Sequence, residues 1–337
     1  FYQEERGMSQ DYFDAVIGHE TIKARLRHLI AEERLPHAMI FAGPEGLGKA
    51  LMARAVAETL SGRPLLADFA HLSCDADTPF IEDGGTVFYL DVIGTMLRVD
   101  QFRQLQEKLM LRASGSRVCI INHVETMNKE FANRMLKTLE EPPQGVHFIL
   151  VTSQPDLLLP TIVSRCAMIP FEPVGDEEML QGLVRLYGGT AESYRQAVLW
   201  GGGNVARVLA LKDGNGLEAV QQALSFLQIM ARHACPYAKW HSISAGWTDQ
   251  ESRDVFRWIQ ILLRDMVVMR SGVPQERLHL GQYAHEVSEL LPAWPDSCIF
   301  SLQHVLDEAG EAILRHVNVR LVWDAVCIRF IRAKGGI

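Results

Sequence analysis

The sequence predicts an α/β domain built on a parallel sheet, then a small helical domain and an all-helical C-terminal domain. Short apolar runs alternate with helical patterns in the first half of the chain. After Pro173 the strand signal disappears, and apolar residues recur at helical spacing. We therefore expect the α/β domain over residues 1–172, the small helical domain over 173–213, and the C-terminal helical domain over 214–337.

The predicted strands are apolar runs of four or five residues, a pattern typical of strands that are buried on both faces of a parallel sheet. They are 38–42, 87–90, 118–121, 147–151 and 167–169. Helical patterns separate the runs, at 51–60, 99–111 and 128–140. The last helix has a good N-cap in Asn128 and is stopped by Pro142 and Pro143.

Two stretches of the C-terminal region carry apolar stripes with the spacing of amphipathic helices. The stripes are Val255, Trp258, Ile259, Leu262, Leu263 and Met266, and Leu302, Val305, Leu306, Ala309 and Ile313. We expect them to pack inside a helical bundle. The alternative is that part of a stripe faces a partner subunit.

Composition limits the function classes. The chain has 33 Lys and Arg against 41 Asp and Glu, a net charge of −8, which argues against coating nucleic acid by charge alone. The six cysteines are scattered without a CxxC pair, as is typical of a reducing cytoplasm. No apolar run is long enough for a membrane span, and the charged N-terminus does not resemble a secretory signal. Met8 is a candidate natural start.

A phosphate-binding loop is predicted where strand 38–42 meets helix 51–60. Gly43, Gly46, Gly48 and Lys49 match the pattern G-x-x-x-x-G-K in its strand–loop–helix context. The glycines let backbone N–H groups converge on a phosphate, and the lysine neutralises its charge. The alternative is a tight glycine-rich turn without a ligand.

Three positions predict that this site has lost hydrolysis. Ala50 stands where a Ser or Thr hydroxyl would hold Mg²⁺. Asn122 and His123 follow the third strand, where an acidic pair would anchor the metal shell and polarise water. His123 could act as a base, but with no orienting partner visible in the sequence we interpret it as a histidine at a decayed site. The site is expected to bind ATP or ADP weakly, without a required cofactor.

Several motifs resemble the bacterial clamp-loader AAA+ family of DNA polymerase III, over residues 14–210. The most specific are N-R-M-L-K-T-L-E-E-P-P at 133–143 and S-R-C at 164–166, supported by V-I-G-H-E at 16–20 and R-L-P-H-A at 34–38. The resemblance implies an AAA+ RecA-like domain, a helical lid and a C-terminal collar for oligomerisation.

The resemblance also implies roles for four residues. Arg165 matches the arginine finger that contacts the γ-phosphate of ATP held by a neighbouring subunit. Thr152 or Ser153 matches the polar sensor after the fourth strand, and Arg207 matches the second sensor on the lid. The alternatives are a surface salt bridge for Arg165, a capping hydroxyl for Thr152 or Ser153, and a solvated helix arginine for Arg207.

The implied function is a subunit without intrinsic ATPase activity that serves its neighbour's site during clamp loading on primed DNA. Its implied partners are clamp-loader subunits of the gamma/tau and delta types, with the sliding clamp and DNA reached through the assembly and no membrane partner. One alternative is an active ATPase of the same fold with His123 as the base. Another is a nucleotide-responsive scaffold outside replication.

Many subunits of this family carry four cysteines that form a zinc site. Residues 61–90 contain only Cys74, with His71 nearby, and two ligands do not make a structural zinc site. We therefore expect no bound zinc.

Overall fold

Six strands form one sheet in the first half of the chain. The computed structural model describes residues 11–66, 74–110, 115–212, 215–232, 235–274, 278–315 and 317–335. The strands are β1 (Ala38–Ala42), β2 (Ile81–Asp83), β3 (Val87–Leu90), β4 (Arg117–Ile121), β5 (Val146–Thr152) and β6 (Ala167–Pro170). Their spatial order is β2-β3-β4-β5-β1-β6. Every neighbouring pair is parallel except β2 and β3.

Helices cover both faces of the sheet. They are α1 (Glu20–Ala31), α2 (Lys49–Ser61), α3 (Val99–Met110), α4 (Lys129–Glu140) and α5 (Pro160–Val163). Met39 and Phe41 of β1 belong to the core cluster that includes residues of α1 and α2. Ile40 belongs to the opposite cluster, with residues of α3 and α4. Alternate residues of a strand point to opposite faces, so β1 is apolar throughout because both of its faces are buried.

The sequence-based elements of this region are confirmed. All five predicted strands and the three predicted helices are present, with ends shifted by one or two residues. Asn128 caps α4 by accepting a hydrogen bond from the Phe131 N–H, at 2.8 Å. Leu111, the last residue of one predicted helix, lies outside the described residues.

The rest of the described chain is helical. The elements are α6 (Asp176–Tyr187), α7 (Ala191–Gly201), α8 (Val205–Lys212), α9 (Asn215–Arg232), α10 (Pro236–Ile243), α11 (Asp249–Arg270), α12 (Ala284–Leu290), α13 (Asp296–Leu314) and α14 (Val319–Gly335). The predicted stripe of α11 is buried throughout, and that of α13 is buried except for Val305, which is half-buried. These stripes pack inside the bundle, as expected. None of the described helices is both long and apolar enough to cross a membrane.

The chain forms two compact units, one ending at Val208 and the other beginning at Leu209. The division falls within α8. The finer division into domains at 172/173 and 213/214 stays a prediction.

Candidate functional site

The phosphate loop joins β1 to α2 and depends on three glycines. Gly43, Gly46 and Gly48 have φ angles of +148°, +79° and +84°, which side chains rarely adopt. Space is also limited, because a Cβ on Gly43 would lie 2.3 Å from the Phe171 carbonyl oxygen. A Cβ on Gly46 would lie 2.3 Å from Oδ1 of Asn204. The loop therefore has the backbone that the motif predicts.

Lys49 is the first residue of α2 and turns back over the loop. Its Nζ donates hydrogen bonds to the carbonyl oxygens of Gly43, at 2.6 Å, and Pro44, at 2.7 Å. Burial lowers the pKa of Lys49, while the carboxylates of Glu45 and Glu125 oppose that change. The ammonium group is thus fixed at the loop, where a phosphate would be held.

The residues around the loop do not fit Mg²⁺. This ion prefers oxygen ligands, carboxylates above all. Ala50 has no side-chain oxygen, and Asn122 offers only a neutral amide. Nδ2 of Asn122 donates to Oδ2 of Asp91, at 3.0 Å, and to the Tyr89 hydroxyl, at 3.3 Å. Within the described ranges no group of three or more His, Cys, Asp or Glu could hold a metal ion.

A half-buried carboxylate, Asp91, organises the residues that follow β3 and β4. Its Oδ1 lies 2.7 Å from Nδ1 of His123 and accepts from the Val92 N–H, at 2.7 Å. Its Oδ2 accepts from the Tyr89 hydroxyl, at 2.7 Å, as well as from Asn122. An ionised carboxylate can only accept hydrogen bonds, so Nδ1 of His123 carries the hydrogen in this contact.

These contacts set the charges of the cluster. Burial alone would raise the pKa of Asp91, but the hydrogen bonds from His123, Asn122 and Tyr89 outweigh burial and hold this pKa at about 2. The hydrogen bond to Asp91 raises the pKa of His123. Burial and the adjacent carboxylate raise the pKa of Tyr89. Asp91 is therefore an anion that orients an imidazole.

The expectation that His123 has no orienting partner is wrong. Asp91 supplies one from the end of β3, which is the strand next to β4 in the sheet. The two residues are distant in the sequence, and only the strand order brings them together. Residue types alone gave no signal for this pair.

The sensor positions Thr152 and Ser153 lie at the end of β5, between the loop and His123. The Thr152 carbonyl accepts from the Gly43 N–H, at 3.3 Å, and its hydroxyl accepts from the Gln154 N–H, at 3.0 Å. Ser153 donates from its N–H, at 3.3 Å, and from its hydroxyl, at 2.8 Å, to Oε1 of Glu125. The hydroxyl of Thr152 thus forms a local turn, and that of Ser153 binds a carboxylate that the sequence analysis did not identify.

Helices α7 and α8 bring a second polar group to the loop. Nδ2 of Asn204 donates to the Glu45 carbonyl, at 2.6 Å, and the Ala206 N–H donates to the Gly46 carbonyl, at 3.0 Å. These bonds tie the backbone that precedes α8 to the phosphate loop.

Arg207, the predicted second sensor, contacts its own helical segment. Its Nη1 donates to the Gly201 carbonyl at the end of α7, at 2.8 Å, and its N–H donates to Oδ1 of Asn204, at 3.0 Å. Asn204 and the Ala206 N–H contact the phosphate loop from this segment. The sensor role of Arg207 stays a prediction.

Arg165 lies just before β6, at the opposite end of the parallel strands from the phosphate loop. It precedes β6, which runs parallel to β1 with Ala167 paired to Met39. The loop begins at Gly43, about 13 Å further along β1 at 3.3 Å per residue. Arg165 precedes Ala167 by two residues. The length of the strands therefore separates it from the phosphate loop of its own chain.

The guanidinium of Arg165 is held at the surface by two contacts. Nη2 lies 2.6 Å from Oε1 of Glu140, and Nη1 donates to the Thr161 carbonyl, at 2.9 Å. The side chains of Arg165 and Glu140 are 36% and 51% exposed. An exposed ion pair of this kind contributes about 0–1 kcal/mol to stability, so the arginine remains available to another ligand.

The zinc expectation concerns residues that are only partly described. Cys74 is buried, and burial raises the pKa of its thiol. His71 lies outside the described residues. The absence of zinc therefore stays a prediction.

Comparisons with known proteins agree with this geometry. A family model described as "DNA polymerase III, delta subunit" matches residues 18–175. The tau subunit of DNA polymerase III from Bacillus subtilis is 26% identical over 220 residues, which cover 64% of this chain and 38% of that protein. The delta' subunit from Escherichia coli is 29% identical over 181 residues, which cover 53% of each chain. The Escherichia coli tau subunit is 30% identical over 170 residues, 50% of this chain and 26% of that protein.

The chain thus spans about half or less of the length of these relatives. The matched segment contains the phosphate loop, the five parallel strands and the S-R-C motif. Residues 18–175, just under half of the chain, are therefore similar to the clamp-loader AAA+ subunits of DNA polymerase III.

Proposed function

We propose that this chain is a non-hydrolysing, delta-prime-like subunit of the DNA polymerase III clamp loader and donates Arg165 to an ATP site on a neighbouring subunit. Its partners are subunits of the gamma/tau and delta types, and the C-terminal helices form the collar. The assembly loads the sliding clamp on primed DNA in the cytoplasm. The chain contributes to a DNA-directed DNA polymerase only as part of that complex.

The observation that supports this proposal best is the position of Arg165. The sheet separates it from the phosphate loop of its own chain, and its guanidinium is exposed. An arginine placed in this way can stabilise phosphoryl transfer only at a site on another molecule. Its ion pair with Glu140 keeps the planar group at the surface before the neighbour binds.

The second support is the composition of the chain's own site. Ala50 offers no side-chain oxygen and Asn122 only a neutral amide at the positions that would hold Mg²⁺, which supplies much of the rate in phosphoryl transfer. The site keeps the glycines and Lys49, which suit phosphate binding, and lacks the hydroxyl and the carboxylate that would hold Mg²⁺.

The test uses a clamp loader reconstituted from purified subunits, with single-turnover ATP hydrolysis as the readout. Arg165→Ala is expected to slow the neighbouring site by about 10³-fold, while nucleotide binding there is largely preserved. Arg195→Ala is the matched control, because Arg195 is another exposed arginine paired with a nearby glutamate. Equal ATP turnover by assemblies with the Arg165→Ala variant and with wild type would show that Arg165 does not act as an arginine finger.

A second candidate function is favoured by one observation. Asp91 orients His123 at 2.7 Å, as a carboxylate does for a histidine base. In that case the chain is an active ATPase of the gamma/tau type. ATP hydrolysis by the isolated chain that disappears in His123→Ala would establish this function, and undetectable hydrolysis by wild type would exclude it.

A further inference from the structure

Glu125 places a carboxylate near the phosphate loop, where it interacts electrostatically with Lys49. Its Oε1 accepts both the N–H and the hydroxyl of Ser153, the residue that follows β5. Its Oε2 is buried and has no hydrogen-bond partner among the described residues. An unpaired buried carboxylate oxygen is costly and can only accept hydrogen bonds, so it requires a donor and is unfavourable beside a phosphate.

The negative charge of Glu125 acts on the same group that would bind phosphate. Glu125 interacts electrostatically with Lys49 and with His123. In an active site the sensor hydroxyl after this strand would face the last phosphate of a triphosphate or the attacking water. Here Glu125 uses both donors of Ser153, so an internal carboxylate takes the position of the terminal phosphate oxygens.

Without a hydroxyl at position 50 and a carboxylate at position 122, the site should discriminate more strongly between a nucleoside diphosphate and a triphosphate. Mg²⁺ would normally bridge the last two phosphates and screen their charge from nearby carboxylates. With Ala50 and Asn122 at the metal positions, the described part of the chain has no group of three or more His, Cys, Asp or Glu that could hold such an ion. A third phosphate would then meet the Glu125 carboxylate without screening, whereas a second phosphate would meet the loop N–H groups and Lys49.

We propose that the phosphate loop is a site for a nucleoside diphosphate that is bound without Mg²⁺, and that Glu125 excludes the triphosphate. This inference rests on the degenerate nucleotide site proposed above. Lys49 and the loop N–H groups hold the terminal phosphate of the diphosphate. Glu125 and Ser153 close the end of the site, and no bond is made or broken.

The test is calorimetric titration of the purified full chain with ADP and with ATP, each in EDTA and in Mg²⁺. ADP is expected to bind about tenfold more tightly than ATP in EDTA, and Mg²⁺ is expected to change its Kd by less than about threefold. Glu125→Gln keeps the acceptor for Ser153 and removes the charge. It should bring the Kd for ATP to within about threefold of that for ADP, with ADP binding unchanged.

Glu130→Gln, on the exposed side of α4, is the matched control and should leave both constants unchanged. Thermal unfolding shows whether each variant is folded, and Glu125→Asp gives a second variant that keeps the charge and should keep the preference for ADP. Equal affinity for the two nucleotides, a strong requirement for Mg²⁺, or no binding of either would overturn the inference. Each of these results leaves the role of Arg165 untouched, because its assay reads hydrolysis on a neighbouring subunit.

Discussion

Replacing Asp91 by asparagine tests the half-buried cluster at the ends of β3 and β4. Asp91 accepts hydrogen bonds from His123, Tyr89, Asn122 and the Val92 N–H. Asparagine has nearly the same shape but replaces one acceptor oxygen by an amide NH2 group, a donor that would face another donor in this cluster. The variant therefore loses the ion pair and at least one hydrogen bond, without leaving a large cavity.

The size of the effect follows from the pKa of Asp91, which falls from an ordinary value of 3.8 to about 2. At 1.36 kcal/mol for each tenfold change in proton affinity, this corresponds to about 2 kcal/mol of stability at neutral pH. For a unit of this size, the midpoint of thermal unfolding should fall by about 4–8 °C.

The effect should depend on pH in a definite direction. The contribution of Asp91 is present above its unfolded pKa and is lost as the pH falls through about 2. The pKa of His123 is raised, so its contribution is complete below an ordinary value of 6.5 and is lost as the pH rises through the folded value. The difference between wild type and Asp91→Asn should therefore be largest between about pH 4 and pH 6.5.

The assay is thermal unfolding followed by circular dichroism at pH 5 and pH 9. The unfolding temperatures of wild type and Asp91→Asn should differ by the full amount at pH 5 and by a smaller amount at pH 9. Asp156→Asn, at an exposed position, serves as the control and should match wild type at both pH values. The reasoning is refuted if Asp91→Asn unfolds at the wild-type temperature at pH 5, or if the difference grows toward pH 9.

Two further predictions concern local backbone structure. Gly46→Ala places a methyl group at a φ of +79°, against Asn204, and should destabilise the first unit by about 1–2 kcal/mol, measured by urea unfolding. A Gly62→Ala variant, with positive φ but open space, should lose less; equal losses would show that contact with Asn204 does not matter. Thr248→Ala removes the capping box of α11 and should lower the free energy of unfolding by about 1 kcal/mol. Thr248→Ser keeps the capping hydroxyl and should retain most of that stability. Unchanged unfolding of the alanine variant would contradict the role of the cap.

Most of the first unit was predictable from the sequence because its strands are apolar without interruption. β2 was missed because it has only three residues, Ile81–Asp83, and two of them are acidic. A strand this short gives no periodicity to detect. It also pairs antiparallel to β3, which the alternation of strands and helices did not predict.

The phosphate loop was predictable because its residues are consecutive, and its glycines have positive φ angles in the structure. The contacts that decide what the loop can bind were not. Glu125 meets Ser153 across 28 residues, and Asp91 meets His123 across 32. Both pairs form because their strands are neighbours in the sheet, and this order cannot be derived from residue types.

The location of Arg165 at the opposite end of the strands from the phosphate loop has a consequence for assembly. A subunit with a donor group on one rim and a nucleotide pocket on the other joins its neighbours head to tail. Such a row has a direction, and each contact is made by two different surfaces. Under the proposed function, this chain donates Arg165 from one end of its strands and does not hydrolyse nucleotide at the other, so its predicted place is the end of the row, where no neighbour supplies a group to its pocket.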